Sequence, residues 1–183
     1  MNICGYSSCD LANGKGARVS IFISGCTIHC KGCFNQSSWD FDYGEKFTQE
    51  YKEKLFRDLS NPWVDGLSVL GGDPLEPQNL EEVTTLCKEI KETFPNKTIW
   101  LWSGRKKEKI IDLPIMQYVD VVISEPFIEK LKSSSKYFGS SNQKIWWAKT
   151  GVDYEDENMY NIHAKKEVFV GEKTRGFDCE CGE

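Results

Sequence analysis

The chain has 183 residues, 39% hydrophobic and 28% charged, and its 23 basic and 28 acidic side chains leave a net charge of -5. That length and balance suit one soluble domain with a single core, and they exclude bulk electrostatic binding of nucleic acid or of an anionic membrane surface. No apolar run approaches the roughly 20 residues of a membrane span; Met1-Asn-Ile-Cys-Gly-Tyr6 lacks the charged and apolar segments of a signal peptide, so the expected location is the cytoplasm.

The first strand signal is Val19-Ser-Ile-Phe-Ile23, β-branched and aromatic, which stops at Ser24-Gly25 just before Cys26. Tyr51, Leu55 and Leu59 then recur every fourth residue, which predicts a helix over Thr48–Leu59. Gly66-Leu-Ser-Val-Leu70 reads as a short strand ending at Gly71-Gly72-Asp73-Pro74. Val83, Leu86, Cys87, Ile90 and Phe94 mark one face of a helix over Leu80–Phe94. Asn79 stands at its expected N-cap, Glu81 and Glu82 in its first turn, and Pro95-Asn96 beyond its end. Three more strands follow: Thr98–Trp102 before Ser103-Gly104, Val119–Ile123 before Ser124-Glu125-Pro126, and Lys144–Ala148 after Gly139-Ser-Ser-Asn-Gln143. Strands alternating with helices predict a parallel sheet with right-handed crossovers. A closed eight-fold barrel needs about 250 residues, so only a partial (β/α) barrel fits, its helices on the outer face. Residues 1–149 form the expected domain. Residues 150–183 hold too few apolar side chains for a second core and read as an extension, with Val168-Phe-Val170 available as an edge strand.

Eight cysteines in a chain expected to be cytoplasmic point to metal or redox chemistry rather than a disulfide framework. Cys87 falls on a helical apolar stripe and reads as a buried small hydrophobe. Cys26-Thr-Ile-His-Cys30-Lys-Gly-Cys33 is different, with three thiols in eight residues. A structural zinc site is closed by four ligands, and a four-iron cluster normally takes four thiolates. Three at C-x3-C-x2-C leave one iron without a protein ligand, where a small molecule can bind. His29 offers a Cys3His zinc alternative, but as the chain neighbour of Cys30 it must bend back to share a tetrahedron. In parallel α/β folds, ligands bind at the carboxyl ends of the strands. The cysteine loop, Gly71–Pro74, Ser103-Gly104 and Ser124–Phe127 should therefore meet at one mouth.

The cysteine spacing resembles that of the radical S-adenosylmethionine enzymes. Arg18-Val-Ser-Ile-Phe-Ile-Ser-Gly-Cys26, Cys33-Phe-Asn35, Gly71-Gly-Asp-Pro74, Pro77-Gln-Asn79, Trp100-Leu-Trp-Ser-Gly104 and Gly139–Gln143 together resemble one branch, the activating enzymes of anaerobic (class III) ribonucleotide reductase. The agreement runs from about Asn13 to Gln143. The resemblance implies a partial barrel of the radical S-adenosylmethionine type, with Cys26, Cys30 and Cys33 holding a 4Fe–4S cluster. It implies that Gly71, Gly72 and Asp73 bind the amino group of S-adenosylmethionine, serving the ligand rather than the fold. Gly32 and Phe34 would border the adenine, and Ser103 and Gly104 the adenosine. The implied reaction is reductive cleavage of S-adenosylmethionine to a 5′-deoxyadenosyl radical, which takes a hydrogen from a glycine Cα of the reductase. No side chain acts as acid or base. The implied partners are the reductase large subunit and a reducing donor such as flavodoxin, with no nucleic acid and no membrane.

Other readings stay open at this level. An activator of another glycyl-radical enzyme, of the pyruvate formate-lyase type, shares the cysteine loop. A zinc-binding structural module needs a fourth ligand, and a small electron carrier a fourth thiolate. Cys4, Cys9, Cys179 and Cys181 would complete a zinc tetrahedron if the chain ends meet, although C-x-C is tight spacing for zinc and a metal-free tail is the expectation. Cys4 and Cys9 also read as small residues buried under the first strand. Arg105-Lys-Lys-Glu-Lys109 fits an acidic electron donor but equally a solvated face, and His29 reads as a solvent-facing loop residue.

Overall fold

In a computed structural model, residues 1–134 and 137–155 are described. Its strands are β1 (Asn2–Asp10), β2 (Arg18–Ile23), β3 (Glu45–Lys46), β4 (Gly66–Gly71), β5 (Thr98–Trp102), β6 (Val121–Ser124) and β7 (Lys144–Trp147). They make one seven-stranded sheet in the order β3-β1-β2-β4-β5-β6-β7. The central strands β2, β4, β5 and β6 run parallel and are buried almost throughout, as parallel strands covered on both faces are. Helices α1 (Gln49–Leu59), α2 (Pro77–Thr93) and the short α3 (Lys107–Ile110) fall between them in sequence. The molecule is thus mixed α/β. Among the described residues no helix is long and apolar enough to cross a membrane.

Alternation along the strands separates two environments. Ile21, Val69, Leu101 and Val122 join Leu55 and Leu59 of α1 and Val83, Leu86 and Ile90 of α2 in the main core. The opposite parity carries Arg18, Ser20, Phe22, Ser68, Leu70, Trp100 and Trp102, which share a face through the registers Ser20↔Ser68 and Ser68↔Trp100. Arg18 closes the amino-terminal end of that face. Its five N–H donors go to Ser68 Oγ, the Lys15, Leu67 and Thr98 carbonyls and Thr98 Oγ1, at 2.5–3.1 Å. The guanidinium also lies 5.5 Å from the Trp100 ring centre. Burial pulls its pKa down to about 10. With one end sealed by Arg18, the carboxyl ends of the strands are left to form the site.

Four expectations need correction. First, the sheet is not wholly parallel, since β1, β3 and β7 are antiparallel. Among the described residues between β6 and β7 the longest helical piece is the 3-10 turn Glu129–Leu131, too short for a crossover, and the chain returns antiparallel. Second, β1 was not anticipated. It pairs with β2 across a loop in which Gly14 and Gly16 take φ of 118° and 79°. Third, α2 begins at Pro77 with Glu76 as N-cap, because proline is suited to the first helical position. Asn79 instead lies buried inside the helix, its amide donating to the Ser24 carbonyl at 2.9 Å, and Glu82, past the first turn, pairs with the Met1 ammonium. Fourth, Cys9 is exposed and Cys4 half-buried within β1 rather than beneath a strand. Cys87 is fully buried in α2, as expected.

The start of the expected extension folds back on β7. Asp153 bridges Trp146, Tyr154 donates its amide to the Ile145 carbonyl at 2.9 Å, and its ring packs edge-on against Trp100. Val168–Val170, Cys179 and Cys181 lie outside the described residues.

Candidate functional site

β2, β4 and β5 are adjacent and parallel, so the segments that follow them emerge on one side of the sheet. They surround a cavity of about 320 Å³. Cys26, Cys30 and Cys33 all line it, together with Phe34, Gly71, Gly72, Ser103 and Gly104. Eight of the ten residues expected at the site are thereby brought together.

The main chain fixes the start of the cysteine loop. Gly25 takes φ 100°, its amide donates to the Ser38 carbonyl at 2.7 Å, and the Cys26 amide to the Trp39 carbonyl at 3.1 Å. Further on, the Cys33 amide closes a turn onto the Cys30 carbonyl at 3.1 Å. His29 is exposed, with φ 49°, and stacks on Trp39 at 4.5 Å between ring centres. Burial raises the pKa of both the Cys26 and Cys30 thiols. Backbone N–H groups oppose the shift, those of Ile28 and His29 at Cys26 and that of Phe127 at Cys30. Such donors favour a thiolate.

The three thiols line one chamber. Among the described residues no group of three His, Cys, Asp or Glu side chains is placed to hold a metal ion. In a four-iron cluster each thiolate binds its own iron. The donor set therefore fits the cluster.

Two expected residues do not reach the chamber wall. Gly32 sits on the exposed side of the loop at φ 74°, where a Cβ would meet the Glu129 side chain at 2.6 Å. Asp73 is wholly buried and points its carboxylate away. Oδ1 accepts the Leu75 amide at 2.9 Å, Oδ2 accepts the Ser103 hydroxyl at 3.0 Å, and Arg105 Nε lies 3.8 Å off. Nor do the two glycines serve a ligand alone. A Cβ on Gly71 would stand 2.5 Å from the Ile23 main chain, and one on Gly72 2.5 Å from the Gly25 carbonyl oxygen. They are what lets β4 close against the root of the cysteine loop.

A second buried carboxylate escaped the sequence reading. Glu76 Oε1 accepts both the Thr27 amide and hydroxyl at 2.8 Å, while Oε2 pairs with Arg105 at 2.8 Å. Arg105 thus leaves the basic run to brace the cysteine loop; Lys106 and Lys109 remain exposed. Only the geometry reveals this, since Glu76 sits before a helix where any capping residue would look ordinary.

Burial pushes the Asp73 carboxyl up from 3.8 to about 6, against the downward pull of the Leu75 amide, Ser103 and Arg105. The folded protein then holds this proton more tightly than the unfolded chain. Its contribution is fully present below about pH 4 and is lost as pH rises through about 6, a change of about 3 kcal/mol. Asp73→Asn is expected to flatten that slope in urea denaturation of the cluster-free protein between pH 4 and 7. An unaltered slope would remove Asp73 as its source.

Comparison with known proteins places the site in context. The family described as "4Fe-4S single cluster domain" matches residues 12–146. The anaerobic ribonucleoside-triphosphate reductase-activating protein of Enterobacteria phage T4 is 41% identical over 152 residues, which cover 83% of this chain and 97% of its own length. Proteins of the same name from Vibrio cholerae and Escherichia coli K12 are 39% and 35% identical over 150 residues, each alignment covering 79% of this chain and 97% of the relative.

Proposed function

We propose that this chain, which belongs to the family of anaerobic ribonucleoside-triphosphate reductase-activating proteins and carries a 4Fe-4S single-cluster domain, is a radical S-adenosylmethionine enzyme that installs the glycyl radical of the anaerobic reductase. The observation that carries this reading is the shared cavity, where three thiols meet two glycine-bearing turns at the ends of adjacent parallel strands. Cys26, Cys30 and Cys33 would hold the cluster as thiolates, and the iron without a protein ligand would be free for the amino and carboxylate groups of S-adenosylmethionine. When bound, the cluster and S-adenosylmethionine would supply, with one electron from an external donor, reductive cleavage to methionine and a 5′-deoxyadenosyl radical able to take a glycine Cα hydrogen.

The protein's own part is to bind, orient and exclude. The Gly71-Gly72 turn lines the cavity beside the cysteine loop and is the segment that takes the ammonium. Asp73 acts through that turn, holding Ser103 by its hydroxyl and the Leu75 amide. Ser103, Gly104 and Phe34 border the adenosine, and Gly32 serves the turn that presents Phe34. Phe22, Leu70, Trp102 and Phe127 give the chamber apolar walls that keep water from a reactive species. The central parallel strands, with α1 and α2 packed in the aliphatic core and an aromatic and polar opposite face, support a partial barrel of the radical S-adenosylmethionine type. The site works on the reductase large subunit in the cytoplasm, with an electron from a donor such as flavodoxin docking near the exposed Lys106 and Lys109.

Anaerobic reconstitution followed by titration with S-adenosylmethionine tests the reading. The reduced-cluster resonance is expected to change on binding, and a glycyl radical to appear on added reductase. A cluster indifferent to S-adenosylmethionine would overturn it.

A further inference from the structure

The Gly139-Ser-Ser-Asn-Gln143 segment has no part in the reading above, yet its side chains grip one wall of the cavity. Gln143 Oε1 accepts the Gly139 and Ser140 amides at 2.8 and 3.2 Å, closing the loop on itself. Its Nε2 donates to the Glu125 carbonyl at 3.1 Å. Asn142 Nδ2 donates to the Pro126 carbonyl at 2.8 Å, and Ser140 Oγ accepts the Ile128 amide at 3.1 Å. Three side chains of one short loop therefore fix the main chain on both sides of a single residue, Phe127.

The gripped stretch is strained. Glu125 has φ 81°, the left-handed region, and it precedes a proline, which favours extended backbone before it. A non-glycine residue stays in such a conformation only where its surroundings over-determine it, and such positions cluster at ligand sites. What this one presents is a ring. Phe127 lines the cavity, and Gly139, which lines it too, lies so close that a Cβ there would stand 3.2 Å from Phe127 Cδ2. Gly139 thus backs the ring without a side chain of its own.

This wall adjoins the turn assigned to the nucleoside. A Cβ on Gly104 would stand 3.8 Å from the Cα of Pro126, the residue before Phe127. Phe34, the aromatic side chain already placed there, is 92% exposed and can cover only the entrance. A clamped ring beside a nucleoside subsite offers the base a face to stack on, with no hydrogen bond required.

We propose that Phe127 is the stacking platform for the adenine of S-adenosylmethionine, and that Gln143 and Asn142 are positioning residues that hold it there through the strained Glu125–Pro126 turn. The inference rests on the S-adenosylmethionine reading above.

The test uses the full chain, reconstituted without oxygen. Equilibrium dialysis gives the affinity for S-adenosylmethionine, and competition by 5′-deoxyadenosine and by methionine reads the two halves of that ligand separately. Phe127→Leu keeps an apolar side chain and removes the ring. The expected result is wild-type iron content, with the affinities for S-adenosylmethionine and 5′-deoxyadenosine each lowered about tenfold and that for methionine unchanged. Phe127→Tyr, which keeps a ring, should stay near wild type. Gln143→Met and Asn142→Ala spare the ring and loosen the clamp, so they should lower the same two affinities about threefold and leave methionine alone. Wild-type affinities for both adenosine-bearing ligands in Phe127→Leu would overturn the platform. So would a parallel loss of methionine binding or of the cluster, since either would show that Phe127 serves the fold. Clamp variants that lower the unfolding temperature and move no affinity would overturn the positioning role. A wild-type protein indifferent to S-adenosylmethionine is a separate result, which removes the reading itself and this inference with it.

Discussion

Single replacement of Cys26, Cys30 or Cys33 by serine is expected to abolish the iron–sulfur absorption and, with it, all cleavage of S-adenosylmethionine. Each thiol supplies one of only three protein ligands to the proposed cluster, and a serine hydroxyl is a poor substitute for the soft thiolate that iron–sulfur clusters take. Cys87 is the internal control. It is fully buried in the core with its thiol pushed up to about 12 by that burial. Cys87→Ser should keep a full complement of iron and lose instead about 1–3 kcal/mol of stability, from a hydroxyl placed in an apolar site. Iron analysis and visible absorption of the four variants decide the matter. Normal cluster content in any of the first three would remove that residue from the ligand set.

Gly72→Ala is expected to damage both fold and site. Its Cβ would stand 2.5 Å from the Gly25 carbonyl oxygen and 2.7 Å from that of Ser38, both main-chain atoms. Those same residues anchor the cysteine loop, through Gly25 to Ser38 at 2.7 Å and Asp73 to Gly25 at 2.8 Å. Nothing flexible can yield, so the ends of β2 and β4 must part, at a cost of about 1–3 kcal/mol or more. Iron content should fall along with stability. Gly104→Ala is the milder comparison, since its Cβ would meet only the tip of Ile28 at 2.7 Å and that side chain can turn aside. Denaturation of the cluster-free proteins and iron content of the reconstituted ones are the measurements. A Gly72→Ala protein with wild-type values of both would show that the close approach is not needed.

The parts legible in the sequence were those dictated by short-range pattern. Val19–Ile23, Gly66–Leu70 and Thr98–Trp102 announced buried strands, and the four-residue spacing of Tyr51, Leu55 and Leu59 announced α1. Their order implied a common mouth, and the cysteine loop, Gly71-Gly72 and Ser103-Gly104 do share one cavity. What was hidden depended on partners distant in the chain. Asn2–Asp10 contains glycine and serine with little apolar alternation, and it becomes a strand because β2 offers an edge. Asn79 looked like a cap because its buried partner, the Ser24 carbonyl, lies 55 positions away. The direction of the Asp73 carboxylate is set by Ser103 and Arg105, which arrive only with the end of β5. The brace from Thr27 through Glu76 to Arg105 joins three segments and leaves no mark on any one of them.

The parallel pairing of β2 with β4 and then β5 also fixes an order of assembly. Chains fold from the amino terminus as they are synthesised. Cys26, Cys30 and Cys33 leave the ribosome together, whereas the chamber they line is walled by Gly71 and Gly72, then Ser103 and Gly104, and finally Phe127, Gly139 and Gln143. Throughout that interval the three thiols are a bare cluster of nucleophiles, open to oxidation, disulfide exchange and stray thiophilic ions. Protection comes only when the last wall is in place, and a cofactor inserted earlier would have ligands but no chamber. The aliphatic core of Ile21, Leu55, Val83 and Leu101 draws on none of the three cysteines, and only the completed fold offers a cluster both its ligands and its walls.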